Sequence, residues 1–369
     1  MSDVKHTAMK KIVMPFAKGA LQLKNHVVMA PMTRSRALNN LPNDLMATYY
    51  RQRSGAGLIV TEGTSPSPEG LGYPRIPGIF SEAQVEGWKA VTKGVQENGS
   101  RIFLQLMHTG RIAHIANLPE GYRPVGLSAI QAAGEIFTDT AGMQAYSVPV
   151  ALDAEGIENV INDFVKAAQN AIRAGFDGVE LHGANGYLLE QSLNPHINNR
   201  MDNYGGSVEN RSRLTLEIAE KVAGAIGPEK VGLRISPYST LSDMPTYDEA
   251  DVHQTYAYLS GELNRLSIAY IHISNSPSIP QKTHQAIRSA FSNTLIYCNG
   301  LTAETAEAKL QDGSADLVAF GRSFLSNPDF IERIEKNALL NEVDYMTLYT
   351  PGAQGYTDYP VLDDLTQRV

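Results

Sequence analysis

Cysteine occurs once in 369 residues, at Cys298, so the chain has no internal disulfide and no thiolate set for an iron–sulfur cluster or a cysteine-ligated zinc site. Nowhere do 18 apolar residues follow one another, and a helix that crosses a bilayer needs about that many. Positive charge is not in excess: 31 Lys and Arg stand against 39 Asp and Glu, net −8, with no run of five like charges, which argues against nucleic acid as the main partner. The first sixteen residues hold no apolar stretch long enough for a secretory signal before Pro15 and Lys18 interrupt it, so a cytoplasmic protein is expected. Two phosphate-binding signatures are missing as well. No GxGxxG follows the first strand and no GxxxxGK[ST] occurs, which disfavours an open doubly wound sheet.

What the chain does have is an alternation of short apolar strands and amphipathic helical stretches, the order that builds a parallel sheet. Strands are predicted at 27–31, 58–61, 102–106, 179–181, 231–235, 270–273, 295–299 and 317–320. Helices are predicted at 44–53, 82–97, 157–174, 208–225, 250–263, 283–290, 303–312 and 329–337, the second with Ser81 as its N-cap. Eight such units close a (β/α)8 barrel, expected here as a single domain over residues 1–369. Between 107 and 152 the alternation lapses into Pro, Gly and Ser, too long a break for a plain loop, and a small β insert capping the barrel mouth is expected there. The Tyr- and Gly-rich tail, about 340–369, reads either as a packed surface segment or as a lid bringing Tyr356 over the mouth.

In a barrel the chemistry comes from the C-terminal ends of the strands and the loops after them. The first strand ends in Ala30-Pro31-Met32-Thr33, the second in Thr61-Glu62-Gly63, the third in Gln105, the fourth in His182, and the fifth carries Arg234. Each alone suits a structural hydrogen bond, but polar groups on five successive strands suit one flat polar ligand across the mouth. Asn299-Gly300 and Gly321-Arg322 end the last two strands, where barrels hold phosphate, and Arg322 can grip one bidentately. A phosphorylated planar cofactor with the shape of FMN fits that pattern, with Arg234 favouring the extra negative charge of its reduced form. The turn after the fourth strand, His182-Gly183-Ala184-Asn185-Gly186-Tyr187, sets two hydrogen-bond donors and a phenol within six positions, an arrangement suited to stabilising a developing oxyanion and delivering a proton. His108 and His114 lack the spacing and the carboxylate of a metal site, so no metal is expected. Glu180 is expected inside the barrel, held by a cation; Arg36 with Asp44, and Asp202 with Arg211, read as ordinary loop ion pairs.

The segments Ala30-Pro31-Met32-Thr33-Arg34, Tyr49-Tyr50-Arg51-Gln52-Arg53, Gln105-Leu106-Met107-His108-Thr109-Gly110-Arg111, Glu180-Leu181-His182-Gly183-Ala184-Asn185-Gly186-Tyr187-Leu188, residues 199–211 and Ala319-Phe320-Gly321-Arg322 together resemble the Old Yellow Enzyme family of flavin-dependent ene-reductases. The resemblance runs in order from about Pro15 to Pro360 and is nearest the bacterial subgroup of N-ethylmaleimide and pentaerythritol-tetranitrate reductases. It implies a barrel with non-covalent FMN, reduced by NADPH or NADH, that reduces small electrophilic alkenes or nitro compounds as a monomer or homodimer. Thr33, Gly63, Gln105 and Arg234 match ring-binding positions, and Gly300, Gly321 and Arg322 the phosphate end. His182 and Asn185 match the pair that holds the substrate oxygen, Tyr187 the proton donor, and Tyr73 and Tyr356 the aromatic pocket lining. Met107 departs from the tryptophan common in that subgroup, and a flexible thioether there reshapes the pocket. Nitro reduction at the same site, a phosphate-sugar lyase or isomerase, and a non-catalytic flavin sensor are the alternatives; the lyase would want a lysine or catalytic carboxylate at a strand end, and the sensor would not need the triplet His182, Asn185 and Tyr187.

Overall fold

Eight short runs rich in Val, Ile and Leu pair in parallel and close on themselves in the computed structural model, which describes residues 10–274, 279–298 and 300–362. The strands are β1 (Val27–Met29), β2 (Leu58–Val60), β3 (Arg101–Leu106), β4 (Gly178–Gly183), β5 (Val231–Ile235), β6 (Tyr270–Ser274), β7 (Thr294–Cys298) and β8 (Leu317–Phe320). β8 pairs with β1 at Val318 opposite Val27, which shuts the ring. The outcome is the (β/α)8 architecture that the alternation predicts.

Strand alternation sorts the side chains. Val179, Leu181, Leu233 and Ile271 point outward into the core shared with the helices, whereas Phe103, Tyr270, Ile296 and Leu317 fill the barrel. An antiparallel hairpin, Phe16–Lys18 with Leu21–Leu23, adds Phe16, Leu21 and Leu23 to that interior cluster. This hairpin was not anticipated from the sequence. Toward the mouth the interior turns polar, with Gln105, Glu180, Arg234 and His272 all buried.

Among the helices, Glu82–Gln96 starts on a capping box in which Ser81 and Gln84 satisfy each other's backbone, a device worth about 1 kcal/mol. Ala154–Arg173 begins three residues earlier than its apolar period suggests, because Asp153 caps it by accepting from the Gly156 N–H. Two short helices, Leu188–Leu193 and Arg322–Ser326, occupy stretches to which no helix is assigned from the sequence. Both expected loop ion pairs are replaced: Asp202 pairs with Arg200 at 2.5 Å, Arg211 with Asp251 at 2.6 Å, and Arg36 turns to carbonyls of the C-terminal tail. The insert forms a hairpin, Glu135–Thr138 with Gly142–Ala145, and a second small pairing of Val125–Gly126 with Val150–Ala151. No helix among the described residues is long and apolar enough to cross a membrane.

Candidate active site

Two cavities open at the C-terminal end of the barrel, and the residues after β1 run from one to the other. The first, about 690 Å³, is lined by Ala30, Pro31, Met32, Arg234, Gly300, Gly321 and Arg322. Thr33 lies on the second, about 660 Å³, together with Tyr73 and Tyr187. Gly300 takes φ +65, which a residue with a Cβ rarely adopts, and the space around it is open to 4 Å. Arg322 is exposed and makes no ion pair among the described residues. Asn299 lies outside the described residues.

Between these cavities the polar layer is tightly wired. Glu180 on β4 is fully buried and accepts at Oε1 from Gln105 Nε2 on β3 at 2.8 Å, while its Oε2 lies 2.8 Å from His272 Nδ1 on β6. Burial alone would raise the Glu180 carboxyl, but His272 and then Arg234 hold it below the usual carboxylate range. Burial alone would lower His272, and the charge of Glu180 raises it. Because Glu180 can only accept, it fixes which end of the Gln105 amide faces it, leaving the carbonyl and the second N–H for other partners. Arg234 Nε and His182 Nδ1 are buried polar atoms with no hydrogen-bond partner among the described residues.

His182 is held well below its ordinary pKa by burial and then by the positive charges of Arg234 and His272, so it is a neutral imidazole. Asn185 sits at φ +58 in the turn that follows, and its side chain has no hydrogen bond among the described residues. Tyr187 packs edge-on against His182, ring centres 5.0 Å apart, and its hydroxyl is 3.0 Å from that of Tyr73. Burial pushes the Tyr187 phenol up to about 12, so it is protonated at neutral pH.

Two expected lining residues lie elsewhere. Tyr356 is fully buried, stacked on Tyr49 at 4.0 Å with Arg34 and Arg36 over its ring, so it is core and not a lid. Tail residues Tyr345, Met346 and Tyr349 line the cavity instead. Met107 is buried beside Leu71 and Ile76, behind Tyr73 and Tyr187, and its sulfur would lie 2.4 Å from a Cβ on Gly63. A side chain at position 63 would therefore require Met107 to move. The insert contributes Ile136, Phe137, Met143 and Tyr146 to the cavity, none singled out from the sequence although 135–145 alternates as a hairpin should. His108 and His114 accept backbone hydrogen bonds from Gly110 and Ala116, and burial lowers His108 to about 4.

The profile of the NADH:flavin oxidoreductase / NADH oxidase family matches residues 11–341. The chain belongs to that family. Morphinone reductase is similar over 96% of this chain and 97% of its own, with 44% identity and a TM-score of 0.92. An old yellow enzyme homologue from Zymomonas mobilis is 40% identical, covering 95% of this chain and 100% of its own, with a TM-score of 0.91. 12-Oxophytodienoate reductase 1 of Oryza sativa subsp. japonica is 39% identical over 97% of this chain and 94% of its own. The family member described here is therefore a flavin-dependent ene-reductase that uses FMN and a nicotinamide coenzyme. Membership does not favour the nitro-reductase, lyase or sensor alternatives.

The side chains suit that cofactor. Among the described residues, a buried guanidinium nitrogen without a hydrogen-bond partner, an amide with its carbonyl unused and a glycine-lined end carrying an arginine outside any ion pair suit a ring with donor and acceptor edges joined to a phosphate.

Proposed function

We propose that the enzyme reduces the carbon–carbon double bond of α,β-unsaturated carbonyl compounds, with His182 and Asn185 gripping the oxygen and Tyr187 protonating the α carbon. FMN, when bound, supplies the two-electron relay from NADPH or NADH to the substrate. Thr33, Gly63, Gln105 and Arg234 would hold its ring and Gly300, Gly321 and Arg322 its phosphate.

Neutral His182 donates one hydrogen bond and the Asn185 amide another. Aimed at an oxygen that gains negative charge, each good donor lowers the barrier by about 3 to 4 kcal/mol. Tyr187 keeps its proton until a carbanion of sufficient basicity forms beside it, and Tyr73 holds the phenol oxygen in place. Phe137, Met143 and Met346 give the cavity an apolar wall that accepts a hydrocarbon body.

The observation that carries this reading is the turn after β4: the protonated Tyr187 phenol lines the cavity, and the His182 ring, whose Nδ1 has no hydrogen-bond partner among the described residues, packs edge-on against it at 5.0 Å. The test is anaerobic turnover of 2-cyclohexenone by wild type and Tyr187→Phe. Alkene reduction should fall by about 10² to 10⁴ in the variant while reduction of the bound flavin by coenzyme changes little. Unchanged alkene reduction would remove Tyr187 as the donor.

A further inference from the structure

We propose that Glu190 is the positioning residue of the oxygen-gripping turn: its carboxylate ties down the two backbone N–H groups that place Asn185. The inference rests on the reading of Asn185 as a substrate-oxygen ligand.

Asn185 and Gly186 both take left-handed backbone conformations, φ +58 and +80, which an isolated chain seldom adopts in succession. Such a turn persists only where its surroundings over-determine it. The Gly186 N–H donates to Glu190 Oε2 at 2.6 Å. The Asn185 N–H donates to Ser236 Oγ at 2.8 Å, and that hydroxyl donates onward to Glu190 Oε1 at 2.6 Å. Tyr256 donates to the same Oε1 at 3.1 Å. On the other side, Gln191 Nε2 donates to the Gly186 carbonyl at 2.7 Å, and a Cβ at Gly186 would meet the Leu241 carbonyl at 2.6 Å. The turn is thus clamped from both sides, with one carboxylate as the common anchor.

Everything that touches Glu190 is a donor. A carboxylate accepts only, whereas a glutamine there would present its own N–H₂ to one of these donors. Glu190 is nevertheless buried, with no Lys or Arg in ion-pair contact among the described residues, and burying an unpaired charge is costly. A fold that keeps such a charge beside the active site gains geometry from it. Burial lifts the Glu190 carboxyl to about 7, offset in part by Ser236, the Gly186 N–H and Tyr256. The charged and titratable groups that face it are Tyr256 in contact and Arg234 and Tyr247 nearby. Protonation replaces an acceptor with a donor where only donors converge, so the clamp holds above about pH 7 and loosens as pH falls through it.

The experiment uses FMN-loaded enzyme reduced with dithionite and mixed in stopped flow with either 2-cyclohexenone, which must be gripped by its oxygen, or ferricyanide, which need not be. Glu190→Gln should slow the enone reaction by about tenfold or more, with the ferricyanide reaction and FMN content within about twofold of wild type. Ser236→Ala, which cuts only the link to the Asn185 N–H, should give a smaller loss confined to the same step. The double variant should be no slower than Glu190→Gln alone. The wild-type enone rate should decline as pH drops through about 7, and that inflection should vanish in Glu190→Gln. Wild-type enone rates in both variants, or equal losses with both oxidants, would overturn the proposal. A wild type that 2-cyclohexenone fails to reoxidise would overturn the reading beneath it instead.

Discussion

Tyr187 and His182 are neighbours in space whose burial has opposite chemical uses. Desolvation disfavours the charged form of each, so the phenol keeps its proton and the imidazole refuses a second one. With Tyr187 at about 12, its loss of the proton cannot limit the reaction near neutrality, and the pH–rate profile for 2-cyclohexenone should stay flat on its alkaline side up to about pH 10. An alkaline decline centred near pH 8 or 9 would assign the proton to another group. Glu180 is buried for a different purpose, as the counter-charge of His272. Truncating one member of a fully buried ion pair leaves the other uncompensated, so Glu180→Ala should lose about 3 to 5 kcal/mol of stability, read as a lower denaturation midpoint. Residue identities at the strand ends were legible from the sequence, since polar side chains in an aliphatic pattern announce themselves. Their partners were not. His272 and Ser236 meet Glu180 and Glu190 only because β4, β5 and β6 lie side by side.

At the scale of elements, the C-terminal tail is the clearest case of packing deciding what pattern left open. Arg34 and Arg36, just after β1, reach the carbonyls of Thr347, Leu348, Gln354 and Gly355 at 2.6 to 3.0 Å, and Arg53 reaches that of Tyr356 at 3.2 Å. Three buried guanidiniums thereby make the tail a fixed wall of the substrate cavity. Arg36→Ala should cost about 3 kcal/mol and open the segment around 345–357 to limited proteolysis ahead of the barrel. If the tail in that variant is cut no faster than in wild type, the arginine is not its latch. The long helices were found within a few residues by their apolar period and caps. Helices of five or six residues complete too little of a 3.6-residue period to show one, and so Leu188–Leu193, which carries Glu190, looked like loop.

For the whole molecule, closure is the decisive event: β8 must meet β1 across nearly the full chain before the mouth exists, and the cavity proposed for the cofactor lies where strands from both ends converge. Ligand that binds only the closed barrel stabilises it by mass action, about 2.7 kcal/mol when free FMN is a hundred times its dissociation constant. Stripped enzyme should therefore melt several degrees lower and recover on adding FMN; an unchanged midpoint would place the flavin outside the folded core. The sequence by itself determined the barrel, because alternation and strand count are local patterns repeated eight times, and it determined the chemical inventory of the mouth. Tertiary structure decided which of those groups are charged and which way they point. The turn of Asn185, the orientation of Gln105 and the burial of Tyr356 each depend on atoms 51 to 307 residues away in the chain, brought within about 4 Å by folding alone.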